Sequence, residues 1–161
     1  MIVAIDPGPR TSGLVVYDKG NILRAEKAAT LDDVRECIQW RACEVTSQAG
    51  LTVVCERTQA GPPSTQVVLT TEVVGRIQEM CHRYGIDLHL YYRRQVLQAL
   101  NCARKGNKDS LVRMACIEMH GGDKATAIGK KASPGPLYGV SSHAWQALGL
   151  ACAHIIYTAQ E

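Results

Sequence analysis

The stretch IVAIDPGPRTSGLVVY, residues 2–17, decides the fold. A short β-branched run ends on an acid, Asp6. Pro7-Gly8-Pro9 then forces a turn, and a second apolar run follows, Gly13-Leu14-Val15-Val16-Tyr17. Two strands with that punctuation read as a hairpin carrying a carboxylate at the end of its first strand. Val3, Ile5 and their neighbours are apolar on both faces, as in a central strand covered on both sides. An acid at the end of such a strand is costly to bury unless something binds it. A divalent metal is one such partner. An aspartate that caps the turn through its own backbone is the other reading.

Working outward, strands are expected at 2–6, 13–18 and 21–28. A helix should follow over 31–48, with Thr30 as N-cap, Asp32 and Asp33 in its first turn and Gly50 at its end. LTVVCE (51–56) reads as a buried strand that again ends on an acid, Glu56. The loop Gly61-Pro62-Pro63-Ser64 leads to a helix that runs to Tyr84 and closes at Gly85. DLHLYY (87–92) alternates as a fifth strand. Helices are expected near 94–103 and 107–119. GGDKATAIGKKASPGPLYG (121–139) reads as a mobile loop rich in Gly, Lys and Pro. Ser141 and Ser142 should cap a last helix over 143–158, packed through Ala144, Ala147, Leu148, Ala151 and Ile155. Three strands followed by alternating helix and strand predict a mixed sheet in an α/β domain. With neither repeat nor linker, residues 1–161 are expected to form one domain.

Composition agrees with a folded domain. The 161 residues are 46% hydrophobic, enough for a sizeable core, although that core must do without phenylalanine. The chain enters the hairpin directly, so no targeting leader is read, and no apolar run approaches the ~18 residues of a membrane span. Cysteines 37, 43, 55, 81, 102, 116 and 152 form no CxxC pair and are odd in number. A reducing, cytoplasmic interior therefore fits better than a disulfide framework, and a zinc site is not expected. The net charge of +3 is uneven. Residues 93–131 hold 9 Lys/Arg against 3 Asp/Glu, while residues 1–92 hold 9 against 11. A positive segment of that density suits a polyanion such as nucleic acid, or is an ordinary solvated surface.

The chemistry is expected where the two acid-ended strands meet. If they are neighbours, Asp6 and Glu56 stand side by side, and like charges that close need cations to neutralise them. Oxygen ligands of this kind suit Mg²⁺ or Mn²⁺. Two such ions about 4 Å apart activate a water and stabilise the leaving oxygen of a phosphodiester. The last helix offers His143, with Gln146 one turn on along the same face. Alone, a His near a helix start is more often a surface or core residue than a ligand, and a Gln in a helix is usually plain polar surface.

The ordered set of motifs resembles the RuvC family of Holliday junction resolvases, within the RNase H-like superfamily. IVAIDPGPRTSGLVVYD is similar to that family's opening motif, VVCE to its strand with the second acid, YYRRQV with GNKDSLVRMA to its basic segment, and SSHAWQALGLACAH to its closing helix. The resemblance implies an RNase H-like fold, a five-stranded mixed sheet flanked by helices. It implies a homodimer, in a bacterial or phage-infected cell, that cuts four-way or branched DNA by paired nicks. It implies two Mg²⁺ or Mn²⁺ ions, with Asp6, Glu56 and His143 as ligands and His143 able to act as general base. The family usually has two acids on the last helix, three residues apart, and some members carry His at the first. Gln146 departs from that pattern, leaving Asp109, Glu118 or Asp123 as acids that could make up the charge. Arg93, Arg94, Arg104, Lys105, Lys108 and Arg113 are the expected phosphate contacts. Arg57-Thr58-Gln59-Ala60 should lie beside the scissile phosphate. Competing expectations are a general structure-selective or RNA-processing nuclease of the same fold, and a junction-binding protein with an impaired metal site. An ATP-binding relative of the actin and sugar kinase type needs two lobes, for which the chain is too short.

Overall fold

A computed structural model describes residues 1–44, 50–58, 62, 64–103 and 105–160. Five strands form one sheet: β1 (Ile2–Asp6), β2 (Ser12–Asp18), β3 (Asn21–Ala29), β4 (Thr52–Arg57) and β5 (Asp87–Tyr92). Their order is β3-β2-β1-β4-β5, so the opening strand is the central one. β1 runs antiparallel to β2 and parallel to β4, and β4 runs parallel to β5. The result is the mixed sheet the sequence predicts.

Alternation along the strands divides the core in two. Val3, Ile5, Leu14, Val16, Val53 and Cys55 face one side, against α1 (Leu31–Glu44) and α2 (Thr65–Tyr84). Ala4, Val15, Tyr17 and Val54 face the other, against α3 (Arg93–Ala99), α4 (Lys108–Met119) and α6 (Ala144–Thr158). Both faces of β1 are therefore covered, and Val3, Ala4 and Ile5 have no exposed surface. Six of the cysteines are buried; Cys43 is exposed. Trp40, on α1, is 66% exposed, whereas Trp145, on α6, is 5% exposed.

The helix ends follow local hydrogen bonding. Thr30 and Asp33 cap α1 reciprocally: Thr30 Oγ1 accepts from the Asp33 amide at 3.2 Å, and Asp33 Oδ2 accepts from the Thr30 amide at 2.7 Å. The expected run of α1 to residue 48 lies outside the described residues beyond Glu44, as do Gly61 and Pro63 of the following loop. Ser64 caps α2 by accepting from the Val67 amide at 3.2 Å, and Gly85 closes that helix in the left-handed region (φ 62°).

Four expectations change. The helix read over 94–103 stops at Ala99, because Asn101 turns left-handed (φ 54°) and the Cys102 amide reaches back to the Leu97 carbonyl at 2.6 Å. The stretch 121–139, read as a mobile loop, carries a short helix, α5 (Lys124–Ala127), and a small hairpin, β6 (Gly129–Lys130) with β7 (Ser133–Pro134). It is pinned by Ala127 and Leu137, both fully buried. The serines do not cap α6 through their side chains: Ser142 is left-handed (φ 48°), and tight backbone bonds lead into the helix, Ala144 N to Ser141 O at 3.0 Å and Trp145 N to Ser142 O at 3.1 Å. α6 is not amphipathic either; every residue from Ala144 to His154 is buried.

Candidate active site

The parallel register Ile5↔Cys55 places the next residues, Asp6 and Glu56, at neighbouring strand ends. Ile5 and Cys55 point to the α1/α2 face, so alternation turns Asp6 and Glu56 to the α3/α4/α6 face. The start of α6 lies directly over this edge. Gly13, the β2 partner of Asp6, packs against the His143 backbone so closely that a Cβ there would sit 2.6 Å from the His143 carbonyl carbon. Glycine at 13 thus admits the helix start, and His143 Nδ1 comes 3.4 Å from Asp6 Oδ2. Asp6 and Glu56 thus stand at neighbouring strand ends, with the head of α6 against Asp6.

Arg93 completes the arrangement. It is the first residue of α3, where the chain leaves β5 next to the end of β4; Glu56 pairs with Tyr91 in that ladder. The Gln95 side chain accepts from the Tyr92 amide at 2.8 Å and fixes the entry to the helix. The guanidinium lies 3.5 Å from Glu56 Oε2 and donates to Asp109 Oδ1 at 2.7 Å. Asp109 is itself held in the first turn of α4, where Asn107 Oδ1 accepts from the Asp109 and Ser110 amides at 3.0 and 3.2 Å. Sequence reading treats Arg93 as an outward phosphate contact; only the β5–α3 junction reveals that it faces an acid.

Burial dominates the electrostatics. It pushes the Asp6 carboxyl above its ordinary value, against the lowering effect of His143 and then Arg93. It pushes Glu56 up to about 7, opposed by Arg93 and reinforced by the Asp6 charge. At 3.5 Å the Arg93 contact is too long to satisfy Glu56, and Glu56 Oε2 is buried without a hydrogen bond. Gln146 Oε1, one turn into α6, is the other buried side-chain oxygen without a partner among the described residues. Orphaned buried oxygens are costly, and both are hard donors that a divalent cation of the Mg²⁺ or Mn²⁺ kind would satisfy. Asp6 and Glu56 therefore fit such an ion chemically, and Gln146 Oε1, one turn into α6, is a neutral oxygen of the same hard type. Among the described residues, no three His, Cys, Asp or Glu side chains stand as a ready-made cage.

An open cleft of about 730 Å³ adjoins Asp6 and His143, walled by Arg10 and Thr11 from the hairpin and by Thr65, Gln66 and Leu69 from α2. The other sequence-based candidates are spread more widely. Arg94 and Lys105 are exposed. Arg113 is exposed and its guanidinium lies over the Trp145 ring, 5.0 Å from the centroid. Lys108 points its ammonium at the Cys102 and Ala103 carbonyls, 3.5 and 3.4 Å away. Arg104 lies outside the described residues, as do Gln59 and Ala60 of the loop after Glu56. Arg57 is exposed, with its guanidinium 5.3 Å from the centroid of the Tyr92 ring. Of the acids considered as replacements for Gln146, only Asp109 acts on the site. Asp123 instead caps α5, accepting from the Ala125 and Thr126 amides, and Glu118 lines a separate groove below α4.

Comparison with known proteins finds no matching family model and no matching curated protein. Solved structures do match. The chain is similar to T. thermophilus RuvC in complex with Holliday junction substrate, at 22% identity and a TM-score of 0.61, over 99% of this chain and 94% of that one. It is likewise similar to a second Thermus thermophilus RuvC structure, at 21% identity and a TM-score of 0.63, over 99% and 95% of the two chains. The chain has the RuvC-type, RNase H-like fold over essentially its whole length.

Proposed function

We propose that this protein is a metal-dependent endonuclease that acts on four-way or branched DNA. One observation carries the reading: two buried acids, Asp6 and Glu56, stand at adjacent parallel strand ends with an imidazole, His143, beside one of them. Strand ends of an α/β sheet are where such folds keep their chemistry. The neighbour solved with a Holliday junction supplies the substrate class. A divalent ion held by Asp6 and Glu56, with Gln146 as a neutral oxygen donor, would lower the pKa of a bound water and draw charge from the phosphate. His143, 67% exposed and hydrogen-bond range from the Asp6 side of the cleft, is placed to orient that water and take its proton. Asp6 in turn fixes the ring through Nδ1. Arg94, Lys105 and Arg113 form the outer basic rim for backbone phosphates, which position a duplex without reading its bases.

The partner we propose besides DNA is a second copy of the chain, since a two-fold substrate is cut symmetrically by a two-fold enzyme. The outer face of α2 supports it: Val68 is 50% exposed, and open space surrounds Gly75 about two turns on. No helix among the described residues is long and apolar enough to cross a membrane.

A second reading, a junction-binding protein with impaired chemistry, draws on the uncharged Gln146 and on the Arg93–Glu56 contact. One experiment separates the two. Labelled four-way, Y-shaped and linear DNA is incubated with the protein, with and without Mn²⁺. Nicks confined to branched DNA and dependent on the ion support the nuclease. Binding of junctions without nicks at any metal concentration would support the second reading instead.

A further inference from the structure

We infer that this centre takes one divalent cation, not two, and that the Arg93 guanidinium supplies the second positive charge from within the chain, beside Glu56. The inference rests on the metal-dependent reading above and narrows it.

The placement of Arg93 is built by two elements. The β5–α3 junction delivers it to the end of β4, and the capped first turn of α4 grips it through Asp109 at 2.7 Å. Its side chain is 23% exposed, against 72% for Asp109, so the guanidinium is turned inward from its partner. It stops 3.5 Å from Glu56 Oε2 without closing a hydrogen bond. The carboxylate is thus neutralised through space while that oxygen stays available to a ligand.

Charge balance decides the number of ions. With Asp6, Glu56 and Asp109 ionised around a bound cation, three carboxylates face one guanidinium, which leaves two negative charges. A single divalent ion cancels them. A second would leave two positive charges in excess beside the largely buried Asp6 and Glu56, where desolvation makes unpaired charge expensive. Gln146, the remaining buried oxygen, adds a donor without adding charge. Space argues the same way: paired ions stand about 3.5–4 Å apart, and a guanidinium 3.5 Å from Glu56 Oε2 takes up part of that volume. Chemically the exchange is plausible for the reaction. A guanidinium presents a planar fork of donors that matches phosphate oxygens, and it is always charged. Aimed at the developing charge, it does electrostatic work that a second ion does elsewhere.

The test counts ions on the protein without DNA. Mn²⁺ is titrated into the purified chain and free Mn²⁺ is read by electron paramagnetic resonance, with calorimetry in parallel. The wild type should bind one ion per chain, and Asp6→Asn should lose it. Arg93→Gln should bind two. Arg93→Lys, which keeps the charge, should stay at one. Arg83→Gln removes the same charge from an exposed pair with Glu79 at the far end of α2, and should also stay at one. Circular dichroism checks that each variant is folded, and Arg93→Met replaces Arg93→Gln if the latter is not. Two ions on the wild type, or one ion on the folded charge-removed variant, overturns the inference while leaving the nuclease reading in place. No ion on the wild type, or one that survives Asp6→Asn, overturns the metal-dependent reading together with it.

Discussion

Glu56 is a residue the fold tolerates at a cost. A carboxyl whose folded value lies above its unfolded one favours folding only when protonated: the benefit is complete below about 4.5 and gone above about 7. The difference between those values is worth roughly 3 kcal/mol, an upper figure because the side chain is 21% exposed. Without metal, Glu56→Gln should therefore be more stable than the wild type at pH 8, by up to that amount, and the gain should vanish near pH 4.5. Urea unfolding at the two pH values measures it; equal midpoints at pH 8 would show that burial of this acid carries no penalty. The same substitution, like Asp6→Asn, should abolish cleavage and leave junction binding intact, because binding rests on lysines and arginines. Gel-shift and nicking assays on the same samples check this, and near-normal nicking at saturating metal refutes it. On the proposed reading, Gln146 should influence which metal supports cleavage. With an imidazole and a neutral amide on α6, cleavage in Mn²⁺ should exceed that in Mg²⁺ at equal concentration, and Gln146→Asp should narrow the gap. Identical rates in both ions, unmoved by Gln146→Asp, would remove these two positions from the site.

At the scale of elements, the contact between the β1–β2 hairpin and the head of α6 holds the site together. A methyl at Gly13 meets the His143 backbone, so Gly13→Ala must push strand and helix apart. Overpacking of that kind costs about 1–3 kcal/mol. Cleavage should fall further than stability or DNA binding, because the shift separates His143 from Asp6; unaltered nicking would mean the helix start floats freely over the sheet. This contact also marks what was legible in the sequence. The strand-end acids could be read because a β-branched run closing on Asp or Glu is a local signal, and the remaining strands were legible from their own local patterning, as in the alternation of DLHLYY. Gly13 gave no such signal; its role depends on a backbone 130 residues away. Arg93 was read by its charge alone, and the turn that swings it towards Glu56 is tertiary. The end of α3 was missed because Asn101 accepts a left-handed conformation without a glycine to announce it. α6 was expected to show one packing face, but a helix buried on every side has no polar stripe to reveal its orientation.

For the molecule as a whole, charge distribution is the main lever. Among the described residues, the cations of 93–131 lie in α3, α4 and the segments that join and follow them, on the same side of the sheet as Asp6 and Glu56. Long-range attraction would draw the proposed polyanionic substrate to the face that holds the acids. Removing an exposed cation should weaken binding to every junction sequence alike. Arg94→Ala and Lys105→Ala should each lower the slope of log affinity against log salt by about one. A slope that does not change, or a loss limited to one sequence, would assign these residues another role.

The molecule also contains its own optical probe. Of the two tryptophans, Trp40 stands in water on α1, while Trp145, in the first turn of α6, is buried under the Arg113 guanidinium. Their emission should separate: a red component quenched by iodide from Trp40, and a blue component, shielded from it, from Trp145. In Trp40→Tyr the fluorescence reports on one turn of one helix. Any ligand that draws Arg113 from the indole, or moves the head of α6, then becomes visible in real time, without a label and before a single phosphodiester is broken.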